Sequence, residues 1–111
     1  KRGMDDLQSH TAARSGAGTF FSRRELQELL GLYAMQVARG EWRDYAIDQH
    51  GGTVVFSVFR HAAEHPLYAI AKRRPGPEYI VYSGPQRLKR TASLSEALAA
   101  LRKNAAIKAV T

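Results

Sequence analysis

A chain of 111 residues with a net charge of +7 is long enough for one domain and too short for two separate cores. It has no cysteine, which excludes disulfides, thiolate metal sites and cysteine nucleophiles, and makes a reducing cytoplasm the expected compartment. No apolar run approaches the roughly 20 residues of a membrane helix, and no signal-peptide pattern is present, so no membrane role is expected.

In chain order, Met4 reads as the natural start. Residues 1–19, with "SHTAARSGAG", are polar and without period, and are expected to form a disordered arm. A single α+β domain is expected over residues 20–104, and residues 105–111 read as a C-terminal tail. The stretch "FSRRELQELLGLYAMQVARG" predicts a helix. Ser22 and Glu25 make a capping box, and Leu26, Leu29, Leu30, Tyr33 and Val37 trace the expected buried stripe. Gly40 suits a left-handed C-terminal cap, and Gly31 inside the helix suggests a close contact.

The period then changes to two. "WRDYAIDQ", "TVVFSVFR", "LYAIAKRR", "EYIVYS" and "RLKR" read as strands, separated by the turn signals "HGG", "PGP" and "GPQ". "SLSEALAALRKN" predicts a second helix, capped by Ser93 and Glu96. Short connections favour an antiparallel meander. The expected fold is therefore an antiparallel sheet of four to five strands, with an N-terminal and a C-terminal helix packed on one face.

Three blocks, "FSRRELQELLGLYAMQVARGEWRDYAID", "VVFSVFRHAAEHPLYAIAKR" and "YIVYSGPQRLKR", resemble a small alphaproteobacterial family of uncharacterised proteins, domain of unknown function 2794. The resemblance spans roughly residues 20–103 and departs at "AIAKRRPGPEY", where a longer connection is expected, and in the final helix. It implies a compact cytoplasmic domain and brings no activity, cofactor or catalytic residues with it.

Function must therefore come from the residues. "HAAEH", residues 61–65, matches the H-x-x-E-H zinc pattern. Its position directly after a strand and the adjoining Pro66 disfavour the helix that such ligation needs, so neither a metal nor a cofactor is expected. No nucleophile and base form a constellation, and no catalytic residue is assigned.

Charge carries more. Residues 1–59 are balanced, while residues 60–111 set ten basic residues against Glu64, Glu78 and Glu96. In a meander, Arg73 and Arg74 approach Lys89 and Arg90, beside the start of the last helix at Ser93. These five residues form the first candidate site, for the backbone of a nucleic acid or another polyanion. The second reading is a homodimeric or partner-binding module. Two helices cover one sheet face, leaving Trp42, Val55 and Phe59 as the expected interface on the other.

Overall fold

The computed structural model describes residues 18–61 and 65–110, so the predicted arm lies outside the described residues up to residue 17. Order begins earlier than Phe20. Thr19 is buried, and its N–H donates to the Gly51 carbonyl at 3.1 Å.

Helix α1 (Arg23–Ala38) starts at its capping box. Glu25 N–H donates to Ser22 Oγ at 3.1 Å, and Ser22 N–H donates to Glu25 Oε1 at 2.7 Å. Its end turns at Gly40, where φ is +77° and the N–H donates to the Val37 carbonyl at 2.9 Å. Gly31 makes no close contact: a Cβ there would meet nothing within 4 Å. The buried line of α1 is also rotated from the expected one. Leu29, Leu32 and Gln36 are buried and Val37 is exposed, while Leu26, Leu30 and Tyr33 pack along its flank.

Five strands follow: β1 (Asp44–His50), β2 (Thr53–Phe59), β3 (Tyr68–Arg73), β4 (Glu78–Ser83) and β5 (Gln86–Thr91). They form one antiparallel sheet in the order β1-β2-β3-β4-β5, the predicted meander. Gly51 and Gly84 supply the positive φ at the β1–β2 and β4–β5 turns, +56° and +58°. The pairings Ile47↔Phe56, Phe56↔Ile70 and Ile70↔Val81 put these four side chains on one face, together with Val54, Val58, Tyr68 and Tyr79. A register shift between Val81 and Tyr82 marks a bulge in β5, where Leu88 is the extra residue.

The second helix, α2 (Leu94–Val110), runs beyond the predicted Asn104 end, and Ala105 is buried in the core, so the segment from 105 is helix through Val110 and not a tail. Both helices lie on the Phe56–Ile70 face. Leu29 and Leu32 of α1 and Leu94, Ala97, Leu98, Leu101 and Ala105 of α2 close the core over it. Asn104 Oδ1 accepts the Tyr68 hydroxyl at 2.8 Å.

Trp42 corrects the sequence reading. It is 2% exposed and belongs to the core under the helices, 6.4 Å from the Tyr33 ring and 6.0 Å from the Tyr68 ring. It precedes β1, and its N–H points back to the Gln36 carbonyl at 3.4 Å, so the pleat that would turn it outward has not begun. Leu67 likewise packs against the core.

On the far face the row Asp48, Val55, Ala71, Ile80, Arg90 crosses all five strands. The neighbouring row is Ala46, Ser57, Ala69, Tyr82, Arg87. Ser57, Ala71 and Ile80 are buried, and Val55, Phe59, Ala69 and Tyr82 are half-buried.

Candidate functional site

Of the five residues assigned to an anion site, the structure brings three together. Arg73, at the end of β3, and Arg90, on β5, share one carboxylate, Glu78 at the start of β4. Arg73 Nε lies 3.9 Å from Glu78 Oε1, and Arg90 Nε–H donates to Glu78 Oε2. Arg90 thus meets the acid by a hydrogen bond from Nε and Arg73 by a longer contact from Nε, and the terminal N–H donors of neither make a hydrogen bond among the described residues. Arg74 and Arg90 line the same shallow depression, with Glu78, Thr91 and the prolines of the β3–β4 turn. Arg74 Nη1 also donates to the Gly18 carbonyl at 3.3 Å.

Lys89 and Ser93 fall outside this group. Lys89 pairs with Val81 and so lies on the helix-bearing face, opposite Arg90. Ser93 works as a cap for α2: its Oγ accepts from Glu96 N–H at 3.2 Å. Thr91 Oγ1 accepts from Ser93 N–H at 3.1 Å and donates to Glu96 Oε1 at 2.9 Å. The helix start is occupied by its own side chains, and the Glu96 carboxylate sits where an incoming anion would have to go.

A second polar constellation escaped the sequence reading. Glu25, on the first turn of α1, receives Lys72 Nζ from β3 at 2.7 Å on Oε1 and the Tyr79 hydroxyl from β4 on Oε2. Lys72 Nζ also donates to the Phe20 carbonyl at 2.9 Å. Burial alone would push the Glu25 carboxyl up. The hydrogen bonds from Lys72, Tyr79 and Ser22, with the Lys72 charge, outweigh burial and hold it below the ordinary carboxylate value. Burial, the hydrogen bond to Glu25 and the charges of Glu25 and Glu28 push the Tyr79 hydroxyl well above its usual value. Both oxygens of Glu25 are engaged, so the cluster reads as a clamp between helix and sheet. The available sequence signal is a lysine on the alternating apolar face of β3, after Tyr68 and Ile70.

No group of three or more His, Cys, Asp or Glu that could hold a metal occurs among the described residues, and residues 62–64 of the "HAAEH" pattern lie outside them. No helix among the described residues is long and apolar enough to cross a membrane.

Taken together, the described residues define an α+β protein built on a five-stranded antiparallel meander, with helix α1 before it and helix α2 after it. Residues 19–96 match the family described as protein of unknown function (DUF2794), and the chain belongs to that family. The match takes in α1, the whole sheet and the first residues of α2. No curated protein and no solved structure matches it.

Proposed function

We propose that this domain is a non-catalytic binding module that takes the phosphate backbone of a nucleic acid along the rim formed by Arg73, Arg74 and Arg90. The observation that carries the reading is that one carboxylate, Glu78, is shared by two arginines, hydrogen-bonded to Arg90 through Nε and 3.9 Å from Arg73 Nε, so that the terminal N–H groups of both stay available to a phosphate. Three arginines against one acid keep the rim cationic. Fluorescence anisotropy with a labelled single-stranded RNA and a DNA duplex tests it. Three phosphate contacts predict a log K against log salt slope of about −2 to −3. Replacing both Arg74 and Arg90 by alanine is expected to flatten that slope to about −1. Absence of binding at low salt by the wild-type chain rules the reading out.

A second reading rests on the far face. Its β1 edge carries Asp44 and Asp48, its β5 edge carries Arg87 and Arg90, and Asp48 and Arg90 end the same row. A two-fold axis parallel to the strands would lay each copy's acidic edge over the other's basic edge, with Val55, Phe59 and Tyr82 between. This homodimer uses Arg90 and competes with the phosphate reading at that residue. Light scattering after size exclusion decides: the dimer predicts twice the chain mass, loss of it in Asp48→Arg, and recovery in Asp48→Arg with Arg90→Asp. A monomer at every concentration ends this reading.

A further inference from the structure

On the helix-bearing side, a cavity of about 70 Å³ opens where α1 ends and α2 passes over β3, with Gln36, Glu41, Trp42, Arg60, Tyr68 and Lys108 among its lining. It shares no residue with the arginine rim. A water needs roughly 10–15 Å³ of such space, so the cavity has room for a small organic group.

Gln36 is the informative residue. It is 4% exposed, deeper than a glutamine on a helix ordinarily sits. Its backbone carbonyl accepts from the N–H groups of Glu41 and Trp42, at 2.9 and 3.4 Å. Its side-chain amide, which bears two donors and an acceptor, has no hydrogen bond among the described residues and lines the cavity. The Gln36 amide is not among the fully enclosed polar atoms left without a partner, so it keeps access to the cavity and can bond to what enters it.

The rest of the lining narrows what that partner is. Trp42 and Tyr68 form aromatic walls, with Leu67 and Ala105 adding apolar surface. At the mouth, Arg60 Nη1 makes a contact of 3.5 Å with Glu41 Oε1, and half of the Arg60 side chain is exposed. That single long contact leaves most of the five guanidinium donors unused. Lys108 Nζ donates to Ser83 Oγ at 3.0 Å and stands 5.7 Å from the centre of the Tyr68 ring. Among the described lining residues the Arg60 guanidinium and the Gln36 amide offer donors, and the carboxylate, Glu41, already faces Arg60.

We propose that this cavity binds a small organic carboxylate, its oxygens received by the Gln36 amide and the Arg60 guanidinium and its carbon skeleton held between Trp42 and Tyr68. Aromatic walls disfavour a fully hydrated inorganic anion, and the donors of Gln36 and Arg60 disfavour an amine.

The chain has one tryptophan, so intrinsic fluorescence reads the cavity wall directly. The experiment titrates the full chain with acetate, propanoate, benzoate and inorganic phosphate at constant ionic strength, following Trp42 emission and the Gln36 side-chain amide signal by NMR. A saturable response of both signals to at least one carboxylate, with none to phosphate, is expected. Arg60→Gln, at an exposed position, should weaken it about tenfold, the effect of losing one charge-assisted hydrogen bond. Gln36→Leu should abolish it while the far-ultraviolet circular dichroism stays native. The proposal is overturned by no saturable response to any carboxylate, by a response to phosphate alone, or by an unchanged response in Arg60→Gln.

Discussion

Replacing Glu25 by alanine is expected to lower the unfolding free energy by about 3 kcal/mol, the scale for breaking a buried ion pair. The side chains of Glu25 and Lys72 are only 15% and 17% exposed, so the substitution leaves an ammonium and the Tyr79 hydroxyl without their acceptor. It also removes half of the capping box of α1. A domain of this size holds roughly 5–15 kcal/mol in all, so the loss is a large fraction of it. Glu25→Gln combined with Lys72→Met should recover part of the stability, because it withdraws both charges from the buried site. Urea denaturation measures the series. A Glu25→Ala midpoint shifted by no more than a surface change, about 0.5 kcal/mol, would show that the clamp contributes nothing. The pH dependence has a fixed sign. The folded carboxyl lies below its ordinary value of 4.5, so its contribution is complete above that value and disappears as pH falls through the folded one. The gap between wild type and Glu25→Gln should therefore narrow only in acid below pH 4.5.

Trp42→Ala is expected to destabilise by about 3–5 kcal/mol, the range for truncating a buried large aromatic. Its indole is 2% exposed and wedged between Tyr33 and Tyr68 where α1 hands over to β1. The measurement is again the urea midpoint, read beside the solution mass. An interface tryptophan would change association and leave the monomer's stability nearly intact. Trp42 should do the reverse. Phe59→Ala, half-buried on the far face, is the matched control for the dimer reading.

Local signals carried much of this fold. The Ser22–Glu25 box, the glycines at 40, 51 and 84, and the alternation in "TVVFSVFR" each act within a few residues, and the structure keeps them. Three features were harder. The residues meeting Glu25 lie 47 and 54 positions away, beyond any local pattern. Gln36 occupies the buried line of α1, and a stripe drawn only through apolar residues steps past it to exposed Val37. Helix α2 continues through "AAIKAV", whose alanines give weak amphipathic contrast, with Ile107 exposed and Ala105 buried. As for the anion site, alternation alone separates Lys89 from Arg90, since adjacent residues of one strand face opposite ways. The pairing of Arg73 and Arg90 through Glu78 needed the register of three strands.

Strand order that equals chain order has a kinetic consequence. Every hairpin of the sheet joins segments that are neighbours along the backbone, so each can zip up at small loop-closure entropy before the next arrives. The Glu25 clamp joins α1 to β3 and β4 across 47 and 54 positions, a long-distance closure that a chain zipping hairpin by hairpin makes late. Weakening it should leave the refolding rate nearly unchanged and appear almost wholly as faster unfolding in a stopped-flow chevron of Glu25→Ala.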